Sequence, residues 1–411
     1  MNVVYNAAVY IVFILSTYFV VLISLVMFVY KDRLHEKKKP LTHYPTVSVI
    51  VPAFNEEHKI AETIVSLQQV VYPKIEFIVV NDGSSDGTST VVRKAIEHDV
   101  RFSFIDRKEN KGKAASLNEG ISHAKGEFVA CMDADSVVEP DIFSKALPYF
   151  DEANVGAVTV SVELKNPKTI LQKIIDIEYI IGLSLFLKLF SIYNCVFVTP
   201  GPFSIYRRNM LHEIGCFDPK NITEDHEIAY RIHKHGYAIA NCHHAKVYTI
   251  TPDTFKGIYV QRRRWYSGAI QTLLQHRDII FNKKLGVFGY FAPFNYVLVG
   301  SGLLLFYAST YLTISRLLET LWHYHYTNYN FFDHLFDFHF DILAISRIYL
   351  VGFFAFLFTL FIMVAGLKMT GKHFSEKKVG LLGFPYMFFL YQLFWSGAIF
   401  AVLRGKNVKW R

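Results

Sequence analysis

Between residues 7 and 30 the chain reads AAVYIVFILSTYFVVLISLVMFVY, 24 positions without a charge. A helix rises about 1.5 Å per residue, so roughly 20 apolar residues cross the hydrocarbon core of a bilayer. This run predicts a retained transmembrane anchor over 1–30. A cleaved signal peptide would have a basic start, a shorter apolar stretch and a small-residue cleavage site. Instead KDRLHEKKK follows at once, and its Lys31, Arg33, Lys37, Lys38 and Lys39 place that side in the cytoplasm by the positive-inside bias. Three further apolar runs, 290–315, 342–367 and 381–403, predict a C-terminal transmembrane region over 290–411. The segment 316–341 between them is dense in aromatics and histidines, as an interfacial belt is. The expectation is a multi-pass cell-membrane protein with a cytoplasmic domain over 31–289.

Composition fits that division. Hydrophobic residues make up 52% of the chain and charged ones 19%, which excludes a disordered or fibrous protein. The excess of 43 Lys and Arg over 35 Asp and Glu lies beside the apolar runs, so it reads as membrane orientation and not as a nucleic-acid surface. Cys131, Cys195, Cys216 and Cys242 form no CxxC pair and read as buried thiols. His226, Cys242, His243 and His244 are too irregularly spaced for a zinc site and read as packing.

From 40 to 250 a short apolar, β-branched run is followed by a polar turn and then a helical stretch, three times over. VSVIVPAF precedes NEEHKIAETIVSLQQV, IEFIVVNDG precedes SSDGTSTVVRKAIEH, and EFVACMDADS precedes VEPDIFSKALPYF. Alternation of this kind predicts an α/β domain with a mainly parallel sheet, helices on both faces, and ligands beyond the carboxyl ends of the strands. Pro52 to Glu57, Asp82 and the pair Asp133 and Asp135 stand at those ends. Asp82 can hydrogen-bond a base or ribose, or can make a turn and cap the next helix. Asp133 and Asp135, two apart in an extended chain, can converge on a hard divalent cation, or can cap a helix. There is no GxGxxG after a strand and no GxxxxGK[ST], so nicotinamide enzymes and P-loop ATPases lose support.

In TEDHEIAYRIHKHG, Glu224 and Asp225 open an amphipathic helix, where acids are favoured by the helix dipole and where one carboxylate can serve as a general base. In QRRRW, Gln261, Arg264 and Trp265 fall at i, i+3 and i+4 of a helix and share a face. Arginine grips a diphosphate through two parallel hydrogen bonds, and an indole offers a flat face to a sugar ring. The stretches 168–190 and 256–276 are amphipathic and predict helices lying at the bilayer interface.

In this order the clusters resemble the D, DxD, TED, QxxRW signature of the processive family 2 glycosyltransferases, the group of cellulose, chitin and hyaluronan synthases. The strings KGKAASLNEG, GPFSIYRR and TEDHEIAYRI look most like its poly-N-acetylglucosamine synthases. The resemblance implies a GT-A fold, a UDP-N-acetylglucosamine donor and inverting transfer to a growing β-1,6-linked polysaccharide. It implies donor contacts from Pro52, Glu56, Asp82, Lys113, Asp133, Gln261 and Arg264. Mg²⁺ or Mn²⁺ would sit on Asp135, with Asp225 as the base beside Glu224. Acceptor contacts would come from Gly201, Phe203 and Trp265, although GPFSIYRR departs from the smaller residues cellulose synthases have there. It also implies export of the polymer and a small membrane accessory subunit. Three alternatives stay open: a non-processive transferase acting on a lipid acceptor, another processive synthase of the hyaluronan, cellulose or chitin type, and a nucleotide-regulated transporter or channel, although only Arg347 places a charge inside an apolar run.

Overall fold

The computed structural model describes residues 23–327 and 347–405, with single positions between 10 and 21. Most of the expected anchor over 1–30, and the part of the aromatic segment beyond 327, lie outside the described residues. The chain divides into two compact units, Val26–Pro293 with Ile362–Arg411, and Met1–Leu25 with Phe294–Phe361.

The first unit carries the sheet. After a short helix α1 (Lys31–His35) come β1 (Val47–Ala53), α2 (Ile60–Gln68), β2 (Ile75–Asp82), α3 (Thr88–Ile96), β3 (Phe102–Arg107), α4 (Lys113–His123) and β4 (Phe128–Cys131). Every residue of β1 is buried, as befits a central parallel strand covered on both faces. Its alternation divides the core: Val47, Val49 and Val51 pack with Ile60, Ile64 and Leu67 of α2. Ile50 packs on the other face with Leu117 and Ile121 of α4. Each fully buried Val, Ile or Leu of this kind contributes about 1.5–3 kcal/mol.

The second half is built differently. It contains β5 (Val137–Val138), α5 (Ile142–Ala146), β6 (Val155–Leu164), α6 (Ile170–Tyr179), a π-helical turn over Ile180–Phe186, α7 (Leu187–Ile192), β7 (Ser204–Arg207), α8 (Arg208–Ile214), α9 (Glu224–Lys234), β8 (Ala238–Thr249) and α10 (Phe255–Gln275). The strand order is β3-β2-β1-β4-β7-β6-β8-β5. Strands β1 to β4 pair in parallel. β7 runs antiparallel to both β4 and β6, and β5 antiparallel to β8. The expected mainly parallel sheet is therefore a mixed one. The four-residue β7 enters the sheet from the GPF loop and not through a helical crossover, so alternation along the sequence could not reveal its direction.

The stretch expected to lie on the bilayer near 168–190 packs on protein along one side. Helix α6 starts with a capping box made by Thr169 and Gln172. From there to α7, Ile175, Ile177, Tyr179, Ile180, Leu185 and Leu187 are buried. Their cover is protein: Ser161 of β6 bonds Ser184 of the π-helical turn. A later helix, lettered α13 below, approaches Lys173 so closely that a Cβ on Gly380 would lie 2.3 Å from its carbonyl oxygen.

After α10 come α11 (Phe288–Thr327), α12 (Arg347–Thr370), α13 (Phe374–Gly383) and α14 (Met387–Leu403). Among the described residues α11 is the one helix long and apolar enough to cross a membrane. Phe374–Tyr386 and Phe389–Leu403 pass that test only as a pair bent by 55°. The apolar run expected as a span over 381–403 thus contains a bend, between Tyr386 and Phe389. Its pieces belong to the catalytic unit: Lys377 of α13 pairs with buried Asp176 at 2.6 Å, and Trp395 of α14 stacks on Tyr266 of α10 at 4.3 Å.

Candidate active site

Asp82 ends β2 in register with Arg107 at the end of β3. It is 2% exposed. Its Oδ1 accepts from Arg107 Nη1 at 3.0 Å and from the Lys111 amide at 2.9 Å, and its Oδ2 from the Gly112 amide at 2.8 Å. A carboxylate with three such donors is a clamp. It fixes the loop that leads into α4, and therefore the origin of Lys113, the first residue of that helix.

Lys113 reaches across to Asp133 Oδ1 at 2.6 Å and Glu224 Oε1 at 2.7 Å. Burial opposes its charge, but Asp133, Glu224 and Asp225 together raise its pKa well above the ordinary lysine value. The two neighbouring acids at the start of α9 then diverge. Burial tends to raise Glu224, yet Lys113 and Arg264 pull it below the usual carboxylate range. Asp225 is pushed up to about 6 by burial and by the negative charge of Glu224, against Lys113 and Arg264. One carboxylate stays ionised as a counter-ion while its neighbour titrates near neutrality, the separation that acid–base chemistry uses.

Asp225 is held without being neutralised. Its backbone oxygen accepts from the Thr199 amide at 3.0 Å and hydroxyl at 2.9 Å, and its Oδ2 accepts from the Gly201 amide at 3.3 Å. A cavity lined by Lys113, Thr199, Gly201, Tyr206, Glu224 and Asp225 lies between these groups. Residue 201 has to be glycine for a steric reason: a Cβ there would lie 2.7 Å from Lys113 Nζ and 3.0 Å from Asp133 Oδ2. Gly201→Ala should displace the flexible lysine tip and leave the fold intact. The expected result is a modestly lower unfolding temperature, because the shifted lysine loosens its pairs with Asp133 and Glu224, with transfer slowed by up to about 100-fold, since ångström misplacement of a reacting group costs that much.

Asp133 and Asp135 lie in the turn after β4, not on the strand itself. Asp135 is pushed up to about 6, first by burial, then by Asp133 and Glu56, with Lys59 and Lys113 opposing. Glu56 also pairs with Lys59 at 3.0 Å. The acids exceed the cations at this edge, and their donors are hard carboxylate oxygens, which suits a divalent cation of the Mg²⁺ or Mn²⁺ type. No cluster of three His, Cys, Asp or Glu that could hold a metal by itself is present among the described residues.

Helix α10 is brought to this site by Gly268, where a Cβ would lie 2.2 Å from the Thr223 hydroxyl oxygen. One turn earlier Arg264 acts electrostatically on both Glu224 and Asp225. Gln261, a further turn back, has its Oε1 buried without a hydrogen-bond partner among the described residues. Trp265 sits 6.5 Å from the Tyr179 ring. The structure thus gathers Lys113, Asp133, Gly201, Glu224, Asp225 and Arg264, with Asp135 and Glu56 at one edge. Two expected contacts fall elsewhere. Pro52 is buried within β1 opposite Val80. Phe203 is fully buried against Phe143 at 5.7 Å, because the residue entering β7 is drawn into the core. Sequence reasoning missed Arg107, Thr199, Glu178 and Arg262. The last is the buried arginine of QRRRW, pairing with Glu178 at 2.7 Å.

An α/β sheet with acids at its strand ends, and a lysine and an arginine acting on the carboxylates at the start of α9, is an arrangement that suits a glycosyltransferase. The family model "Glycosyltransferase like family 2" matches residues 45–268, more than half of the chain, and the chain belongs to that family. Among its relatives, poly-beta-1,6-N-acetyl-D-glucosamine synthase of Staphylococcus epidermidis is 33% identical over 247 residues, 59% of each chain. The protein of that name in Staphylococcus aureus strain COL is 31% identical over 274 residues, 66% of each. The matched span therefore covers between about three-fifths and two-thirds of these relatives' length. A solved mannosyltransferase from Pyrobaculum calidifontis, PcManGT, in complex with GDP-Man and Mn²⁺, superposes with a TM-score of 0.56 at 21% identity, covering 88% of this chain and 98% of that one. The fold of the catalytic unit is accordingly GT-A.

Proposed function

We propose that this glycosyltransferase polymerises N-acetylglucosamine from UDP-N-acetylglucosamine into a β-1,6-linked exopolysaccharide of the biofilm type. The observation that carries this reading is Asp225, poised near pKa 6 beside an ionised Glu224 and facing Lys113 and Arg264. The sugar and linkage are supported by the relatives at 31–33% identity. In this reading Asp225 takes the proton of the acceptor hydroxyl as that oxygen attacks the anomeric carbon from the face opposite the diphosphate, and configuration inverts. Lys113 and Arg264, with Gln261, meet the negative charge on the departing UDP, preorganised so that no reorientation is needed at the transition state. Asp135, flanked by Asp133 and Glu56, would hold Mg²⁺ or Mn²⁺, whose charge when bound neutralises the diphosphate. Asp82 orders the uridine side through the Lys111–Lys113 loop, and Trp265 receives the acceptor.

The domain scheme belongs to the same proposal: an anchor over 1–30, a cytoplasmic catalytic domain over 31–289, and membrane segments over 290–411. The exposed apolar surface of α11, with Leu304, Tyr311, Leu318 and Trp322, supports a bilayer environment. A hydrophilic polymer cannot cross hydrocarbon unaided, because each unsatisfied polar group there costs several kcal/mol. Synthesis beside membrane helices couples elongation to export, and a small accessory subunit would complete so few spans. The test supplies membranes containing the full chain with labelled UDP-sugars and digests the product with linkage-specific hydrolases. Incorporation of N-acetylglucosamine into a polymer cut by a β-1,6-specific enzyme is expected. Preferential use of UDP-glucose or UDP-glucuronate, or a single sugar on an extractable lipid, would overturn the assignment.

A further inference from the structure

Of the three consecutive arginines in QRRRW, Arg262 is the one turned inward. Its side chain is 1% exposed, and its Nη2 donates to Glu178 Oε2 at 2.7 Å. Its guanidinium carbon lies 4.1 Å from the centre of the Trp265 ring and 5.7 Å from that of Tyr179. Tyr266 and Tyr391 also lie near enough to act on its charge, which burial opposes and Glu178 sustains. Tyr391 belongs to α14, so residues from α6, α10 and α14 meet around this one cation. Gly397 of the same helix α14 closes the contact, since a Cβ there would lie 2.2 Å from the Tyr259 hydroxyl oxygen.

An ion pair whose cation is fully buried is weak evidence of stabilisation, because desolvation offsets most of its attraction. Arg262 Nε, moreover, has no hydrogen-bond partner among the described residues. What the arrangement does provide is orientation. Glu178 anchors the guanidinium through Nη2, and its central carbon lies over the indole, which cannot rotate without losing a desolvated cation–π contact.

We infer that Arg262 and Glu178 form a positioning pair for Trp265. The pair holds the indole at the angle at which it receives the acceptor sugar, and it makes α14 part of the acceptor machinery through Tyr391. This rests on the polymerase reading above. Neither residue touches the reacting atoms, so their loss acts on the acceptor and spares the donor.

Arg262→Lys separates the two roles, because lysine keeps the ion pair with Glu178 but has no planar face to lay on the indole. The experiment compares wild-type and Arg262→Lys full-length protein in lipid nanodiscs. It measures the KM for a short N-acetylglucosamine oligosaccharide acceptor, product length, UDP affinity and unfolding temperature. The expected result is an acceptor KM raised about 5- to 10-fold with shorter product, and UDP affinity and unfolding temperature within about twofold and a few degrees of wild type. Glu178→Gln, which leaves the cation without a counter-ion, should show the same acceptor defect with lower thermal stability. Arg262→Lys with wild-type acceptor KM and product length would overturn the inference, as would donor and acceptor constants rising together. Wild-type protein that incorporates no N-acetylglucosamine overturns the polymerase reading, and the inference falls with it.

Discussion

Asp225→Asn should lower the rate of sugar transfer by about 10²- to 10⁴-fold, the range over which a positioned general base contributes, and leave UDP binding intact. Asparagine is nearly isosteric. The two Thr199 hydrogen bonds go to the backbone oxygen of residue 225 and survive the change, and the Gly201 amide can still donate to the amide oxygen. What disappears is the carboxylate lining the cavity that burial and Glu224 push up to about 6. Glu224 is spoken for by Lys113, which holds it ionised and only 2.7 Å away. The same placement sets the pH profile. A base must be unprotonated, and Asp225 is pushed up to about 6, so wild-type activity should be low at acid pH, rise through about 6 and level off above it. Initial rates from pH 5 to 8 with the divalent cation saturating check this, and a rate independent of pH through that window would count against Asp225 as the base.

Lys113→Met should damage the protein itself, not only its turnover. Lys113 is the cation that Asp133 and Glu224 share, at 2.6 and 2.7 Å, with Asp225 adjacent. Removing one partner of a buried ion pair costs about 3–5 kcal/mol, because the remaining charges stay desolvated without compensation. The expected outcome is a large fall in unfolding temperature together with loss of transfer. Lys113→Met/Glu224→Gln removes one stranded carboxylate and should recover part of the stability while remaining inactive. A double variant no more stable than the single one would show that the lysine does not couple to Glu224 as described.

Much of the donor side of the site can be read from sequence because it is local. Strands β1, β2 and β4 are buried on both faces, so they stand out as unbroken apolar runs. The chain leaves the sheet at their carboxyl ends, which puts Asp82 and the Asp133–Asp135 turn where a nucleotide binds in such sheets. The acceptor side resists that approach because its contacts are distant in sequence. Arg262 and Glu178 are 84 positions apart, and nothing in the string QRRRW says which arginine turns inward. Phe203 reads as part of an exposed loop until the antiparallel pairing of β7 with β4 and β6 draws it into the core. Similarly, the amphipathic pattern from 168 to 190 announces an apolar face without saying that the sheet and α13 pack against part of it. Asp82 lies between these cases: its position at a strand end is legible, but its role as a clamp depends on amides about 30 residues away.

The central claim is that acids from three strand ends and a helix start, a shared lysine and an arginine of α10 make one cation-dependent nucleotide site. Titration of UDP into the purified chain in lipid nanodiscs, with and without Mn²⁺, tests it most directly. The account predicts saturable one-to-one binding that weakens about tenfold or more when Mn²⁺ is chelated or when Asp135 is replaced by alanine. Absence of saturable binding, or binding indifferent to both changes, would contradict it.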